Sequence, residues 1–117
     1  MKVNPKLTRL AKVMQLRRKR EELRLNLAKA QERKLRAQLD DLQRAHAEIS
    51  NPGDALCHMS SAMQLSWQAW SERQRLQINL ALAGSLAEKE VAAEAAKRAI
   101  ASEQVVEILL TRRSTRR

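Results

Sequence analysis

Between residues 7 and 49 a stripe of positions recurs at intervals of three and four. It runs Leu7, Ala11, Met14, Arg18, Glu21, Leu25, Ala28, Glu32, Leu35, Leu39, Leu42, His46 and Ile49. Most of these side chains are apolar, and the seven-residue repeat is the one by which one helix packs along another. Charge interrupts the stripe between residues 18 and 32, where Leu16, Leu23, Leu27 and Ala30 offer a neighbouring face. That is a drift or stutter in the seam, with room for a second partner. A second stripe follows, through Leu56, Met59, Met63, Ser66, Trp70, Arg73, Gln77, Leu80, Gly84, Ala87, Val91, Glu94, Arg98, Ala101, Val105 and Ile108. Its spacing holds, although its apolar quality is uneven.

The two stripes are separated by Asn51-Pro52-Gly53-Asp54, which holds one of the two prolines and one of the two glycines of the chain. Proline cannot continue a helix and pushes the residue before it out of helical geometry. Glycine accepts the positive φ of a tight reversal, and aspartate caps a new helix. Upstream, Asn4-Pro5 is a helix start, a capping side chain followed by proline at the first helical position. The pattern therefore predicts a helix over about 5–50, a turn at 51–54, a helix over about 55–111 and a basic tail at 112–117. The fold class is all-α, a two-helix antiparallel coiled-coil hairpin forming a single unit over 1–117. If residue 49 sits opposite 56, residue 7 falls opposite about 98. Val105, Val106, Ile108, Leu109 and Leu110 would then project beyond the first helix and require an intermolecular partner.

Composition supports this picture and narrows the chemistry. Of 117 residues 44% are hydrophobic, yet Phe and Tyr are absent and Trp67 and Trp70 are the only aromatics. Leu, Ala, Lys, Arg, Glu and Gln dominate, a composition of long helices. Residues 91–101 are alanine-rich, which makes a slender helix that a neighbour can approach closely. The lone Cys57 excludes an internal disulfide framework. No apolar run reaches the length of a membrane span and no signal-peptide segment is visible, so a cytoplasmic setting is expected. His46, Cys57 and His58 lack metal-finger spacing and a carboxylate partner. No phosphate loop, activated nucleophile or paired-carboxylate cleft is present. The chain reads as a non-enzyme without cofactor, metal or small-molecule substrate.

The net charge of +10 gathers at the ends. Lys2, Lys6, Arg9, Lys12, Arg17, Arg18, Lys19 and Arg20 fill the first twenty residues without one acid, and Arg112, Arg113, Arg116 and Arg117 close the chain. Lys2, Lys6, Arg9 and Lys12 share one helix face, about 130° from the apolar stripe at about 100° per residue. A solvated face usually mixes signs, so this one is a candidate binding surface. Trp67 and Trp70 lie about 60° apart around the second helix, too far for both to enter one narrow seam. Trp70 is the candidate for the seam and Trp67 for an exposed anchor, tryptophan being frequent at binding hot spots.

These features together resemble the FliJ-type stalk proteins of flagellar export and their type III secretion counterparts. The resemblance rests on Leu7-Thr-Arg-Leu-Ala-Lys-Val-Met-Gln-Leu-Arg-Arg, the turn, Met59-Ser-Ser-Ala-Met-Gln-Leu-Ser-Trp67-Gln-Ala-Trp70, and Glu107-Ile-Leu-Leu-Thr-Arg-Arg. It implies an antiparallel coiled coil that sits in a hexameric export ATPase and contacts the export gate membrane protein, placing the chain at the inner membrane through the export apparatus. The implied ATPase-binding residues are Lys2, Lys6, Arg9, Lys12, Val105, Ile108, Leu109, Arg112, Arg113, Arg116 and Arg117. Trp67 and Trp70 would meet the gate. The alternatives are a generic coiled-coil scaffold or adaptor and a basic nucleic-acid-binding coiled coil. Against the last, no aromatic lies near the basic residues to stack bases, and no recognition fold or zipper is visible.

Overall fold

The computed structural model describes residues 4–50 and 61–115, with the side chains of residues 49, 50, 114 and 115 excluded. It holds two helices, α1 (Pro5–Ser50) and α2 (Ser61–Thr115), and no strand among the described residues. The fold is an all-α antiparallel hairpin. The reversal expected at 51–54 lies outside the described residues. So do Leu56 and Met59 of the expected second stripe, together with Cys57 and His58.

The start of α1 follows from its sequence. The Asn4 side-chain Oδ1 accepts a hydrogen bond from the Lys6 amide at 3.1 Å, and its carbonyl accepts one from the Thr8 amide, also at 3.1 Å. This satisfies amides that a helix start leaves without a partner, and Pro5 has no N–H to satisfy. At the far end of α2, Arg112 and Arg113 occupy the last turn, where cations favour the helix dipole. They belong to the helix, not to a tail as expected.

The helices form two compact units, one from residues 1–29 and 87–117, the other from 30–86. In the first, Arg18 bonds Glu103 and Arg24 bonds Glu88 at 2.8 Å. Partner numbers fall as α1 advances, so the two segments run antiparallel. Ala28, Ala92, Ala96, Ala99 and Val106 are buried between them. Three alanines on α2 let the backbones approach closely and leave little apolar area to bury. In the second unit Leu35 and Leu42 are buried on α1, with Leu39 half-buried between them. Across from them α2 turns inward Trp67, Ser71, Gln74, Ile78 and Leu82.

On α1 the inward positions are those of the sequence pattern. Every described member from Leu7 to His46 is buried or half-buried, including charged Glu21 and Glu32. On α2 the expected stripe is wrong. Met63, Ser66, Trp70, Arg73, Gln77, Leu80, Gly84, Ala87, Val91, Glu94, Arg98, Ala101, Val105 and Ile108 are all exposed. The inward face lies about one residue further on, through Gln64, Trp67, Ser71, Gln74, Ile78, Leu82, Ser85, Lys89, Ala92, Ala96, Ala99, Glu103, Val106 and Leu110. A helix that must seat Arg18, Glu21 and Glu32 needs small and polar side chains opposite. That face supplies them, most directly as Glu103 against Arg18. The expected overhang is also absent. Leu7 and Leu10 line the same cleft as Leu109, and Val106 and Leu110 face inward beside the start of α1. Val105 and Ile108 are exposed because they point away from the seam, whereas Leu109, partly exposed, sits at its edge.

Candidate functional site

The unit built from both chain ends holds 17 of the 23 basic residues and 7 of the 13 acidic ones, a balance of +10 that accounts for the entire net charge. The other unit holds six of each and is neutral. Within the basic unit the start of α1 and the end of α2 form an open cleft of about 470 Å³, lined by Asn4, Lys6, Leu7, Leu10, Leu109, Arg112 and Arg113. Its floor is leucine from both helices and its rim is cationic. The Asn4 cap fixes the first turn of α1 and so positions Lys6 and Leu7. Helix continuity past residue 111 carries Arg112 and Arg113 to the rim.

Of the residues singled out in the sequence, Lys6, Leu109, Arg112 and Arg113 come together here. Ile108 lies on the adjoining flank of α2, beside Gln104, Glu107 and Thr111. Arg9, Lys12 and Val105 are exposed but do not line this cleft. Lys2, Arg116 and Arg117 fall outside the described residues. Leu7 and Leu10 were missed as cleft residues, because the expected register put Leu7 opposite residue 98.

Charge inside the seam is paired where the structure gives partners. The Arg18 guanidinium is held above its ordinary range by hydrogen bonds, first to Glu103 and then to Glu22. Glu21 bonds Arg20 at 3.0 Å through one oxygen, while its other oxygen has no hydrogen bond and lies 3.8 Å from Arg24.

The tryptophans take the opposite roles to those expected. Trp67 is half-buried on the inward face, with its indole N–H buried and without an acceptor, whereas Trp70 is 44% exposed. The rings stack with centroids 5.2 Å apart and planes inclined by 28°. Trp67 thus braces Trp70 from the seam side, and Trp70 presents the aromatic surface.

Among the described residues no helix is long and apolar enough to cross a membrane, and no cluster of three or more His, Cys, Asp or Glu side chains could hold a metal. Compared with known proteins, the chain matches no family model, no curated protein and no solved structure.

Proposed function

We propose that the protein is a non-enzymatic stalk or adaptor of a flagellar or type III export apparatus, whose basic unit docks into a hexameric export ATPase. The observation that supports this reading is the cleft. Both helices contribute leucine to its floor, and Lys6, Arg112 and Arg113 surround it. A ring lined by carboxylates would neutralise that rim while the leucines lose water, at about 25 cal/mol per Å² of apolar area. In the neutral unit, Trp70 with Trp67 stacked behind it is the surface offered to the export gate. A stacked pair presents a large apolar area with little side-chain entropy left to lose.

The competing use of the same charge is phosphate neutralisation by a nucleic acid, which needs no apolar contact. Base-stacking groups would favour it, but both tryptophans belong to the neutral unit. The test mixes the full chain with a hexameric export ATPase, and separately with DNA, at low and near-physiological salt of about 150 mM. Stoichiometric ring binding and ATPase stimulation should persist at the higher salt and fall when Leu10 and Leu109 are both changed to Gln. DNA binding should fall steeply with salt, with a log–log slope of about −0.9 per contacted phosphate, and ignore the double substitution. A chain that binds only DNA, or a ring indifferent to the leucines, overturns the stalk.

A further inference from the structure

The first half of α1 has a second apolar line on the side turned away from α2. Val13, Leu16, Leu23 and Leu27 are 55%, 66%, 59% and 63% exposed. With Arg20 and Ala30 they fall at 13, 16, 20, 23, 27 and 30, a strict alternation of three and four. At about 100° per residue this line lies about 200° around the helix from the buried stripe. It is therefore a second heptad seam on the opposite face, not a drift of the first. If these residues are the a and d positions, the flanking e and g positions include Lys12, Lys19, Arg17 and Arg24. All four are basic, and all four are exposed.

We infer that this outer face of α1 is a docking seam for an acidic amphipathic helix of another protein, a surface separate from the end cleft and independent of the export reading. Three features fix the occupant. The line is two positions wide, with successive members about 40–60° apart, which is the width of a coiled-coil seam. A bilayer surface is bound by a broader apolar face, with aromatics at its edge, and this unit has none. Toward the start of the line the flanks are cationic, with Lys12, Arg17 and Lys19, whereas Arg24 is bonded to Glu88 and the later flanking positions Asn26 and Gln31 are neutral. A helix with carboxylates at its own e and g positions opposite residues 12–19 is attracted and a basic one is repelled. A second copy is disfavoured on the same ground, because this unit carries the whole +10 of the chain. Arg20 interrupts the leucines at an a position, where it now reaches across to Glu21. A polar residue at such a position sets register, and the partner helix would meet it with a carboxylate.

The probes are two synthetic 21-residue peptides with leucine at a and d, one with Glu and one with Lys at e and g, and vesicles of phosphatidylglycerol. Binding to the full chain is followed by titration calorimetry, and self-association by sedimentation. The Glu-flanked peptide should bind at least tenfold more tightly than the Lys-flanked one. The pair Leu16→Gln and Leu23→Gln should weaken it at least tenfold with helicity unchanged by circular dichroism, since neither side chain is in the seam with α2. The pair Lys12→Glu and Lys19→Glu should shift preference toward the Lys-flanked peptide. The inference is overturned if peptide binding ignores the leucine substitutions, if neither charge pattern is preferred, if only vesicles bind, or if the free chain dimerises through these leucines.

Discussion

The two units use the same pair of helices and the same heptad spacing, yet they are held together differently. In the unit made from the chain ends the buried apolar residues are chiefly Ala28, Ala92, Ala96, Ala99 and Val106, with Arg18–Glu103 and Arg24–Glu88 bridging the helices. In the neutral unit the burial comes from Leu35, Leu42 and the half-buried Trp67. Close approach of small residues maximises backbone proximity but leaves little area to desolvate, whereas leucine contributes area. Cohesion in the first unit depends on the absence of side-chain volume and on ion pairs. In the second it depends on the presence of volume. The unit with the smaller hydrophobic term also carries the cationic surface, which fits a region that gains further contacts from a partner.

The comparison predicts opposite responses to a change of size. Leu42→Ala, in the neutral unit, should lose the most, about 2–5 kcal/mol, seen as a lower urea midpoint. A loss below about 1 kcal/mol would mean that volume is not what holds that unit. In the basic unit, enlargement should be the harmful direction. Ala99→Leu should cost about 1–3 kcal/mol by forcing the helices apart, and a stabilised variant would remove the contrast altogether.

The tryptophans sharpen it further. Trp67→Ala should lower stability by about 2 kcal/mol, less than a fully buried aromatic because the ring is only half-buried. Trp70→Ala should cost about 1 kcal/mol, mainly the stacking contact. Thermal melts of the two variants decide between them, and equal losses would put both rings in the seam. The smallest effect is a gain. A methyl at Gly84 would meet nothing within 4 Å, so Gly84→Ala should stabilise by up to about 1 kcal/mol through helix propensity alone. The same substitution should weaken any partner that packs closely on that face.

Sequence alone determined the helical content, the cap at Asn4, and the inward face of α1 from Leu7 to His46. On that helix the 3-4 spacing runs unbroken from Leu7 to His46, so its phase was legible even though Arg18, Glu21 and Glu32 interrupt its apolar character. The cationic ends were also legible, since charge is counted along the chain without knowing the fold. On α2 the apolar residues lie nearly all round between Leu76 and Ala87, and two faces about 100° apart carry comparable heptads. The bulkier one, through Met63, Trp70, Leu80, Val91 and Val105, looked like the seam. Only the tertiary structure decided for the smaller one, which puts Glu103 against Arg18 and buries Ala92, Ala96 and Ala99 where the helices approach. The same pairing decided that Trp67 turns inward, that Leu109 meets Leu7 and Leu10, and that the outer heptad of α1 stays open. A helix's own pattern says which faces could be buried, and its partner's shape and charge select among them.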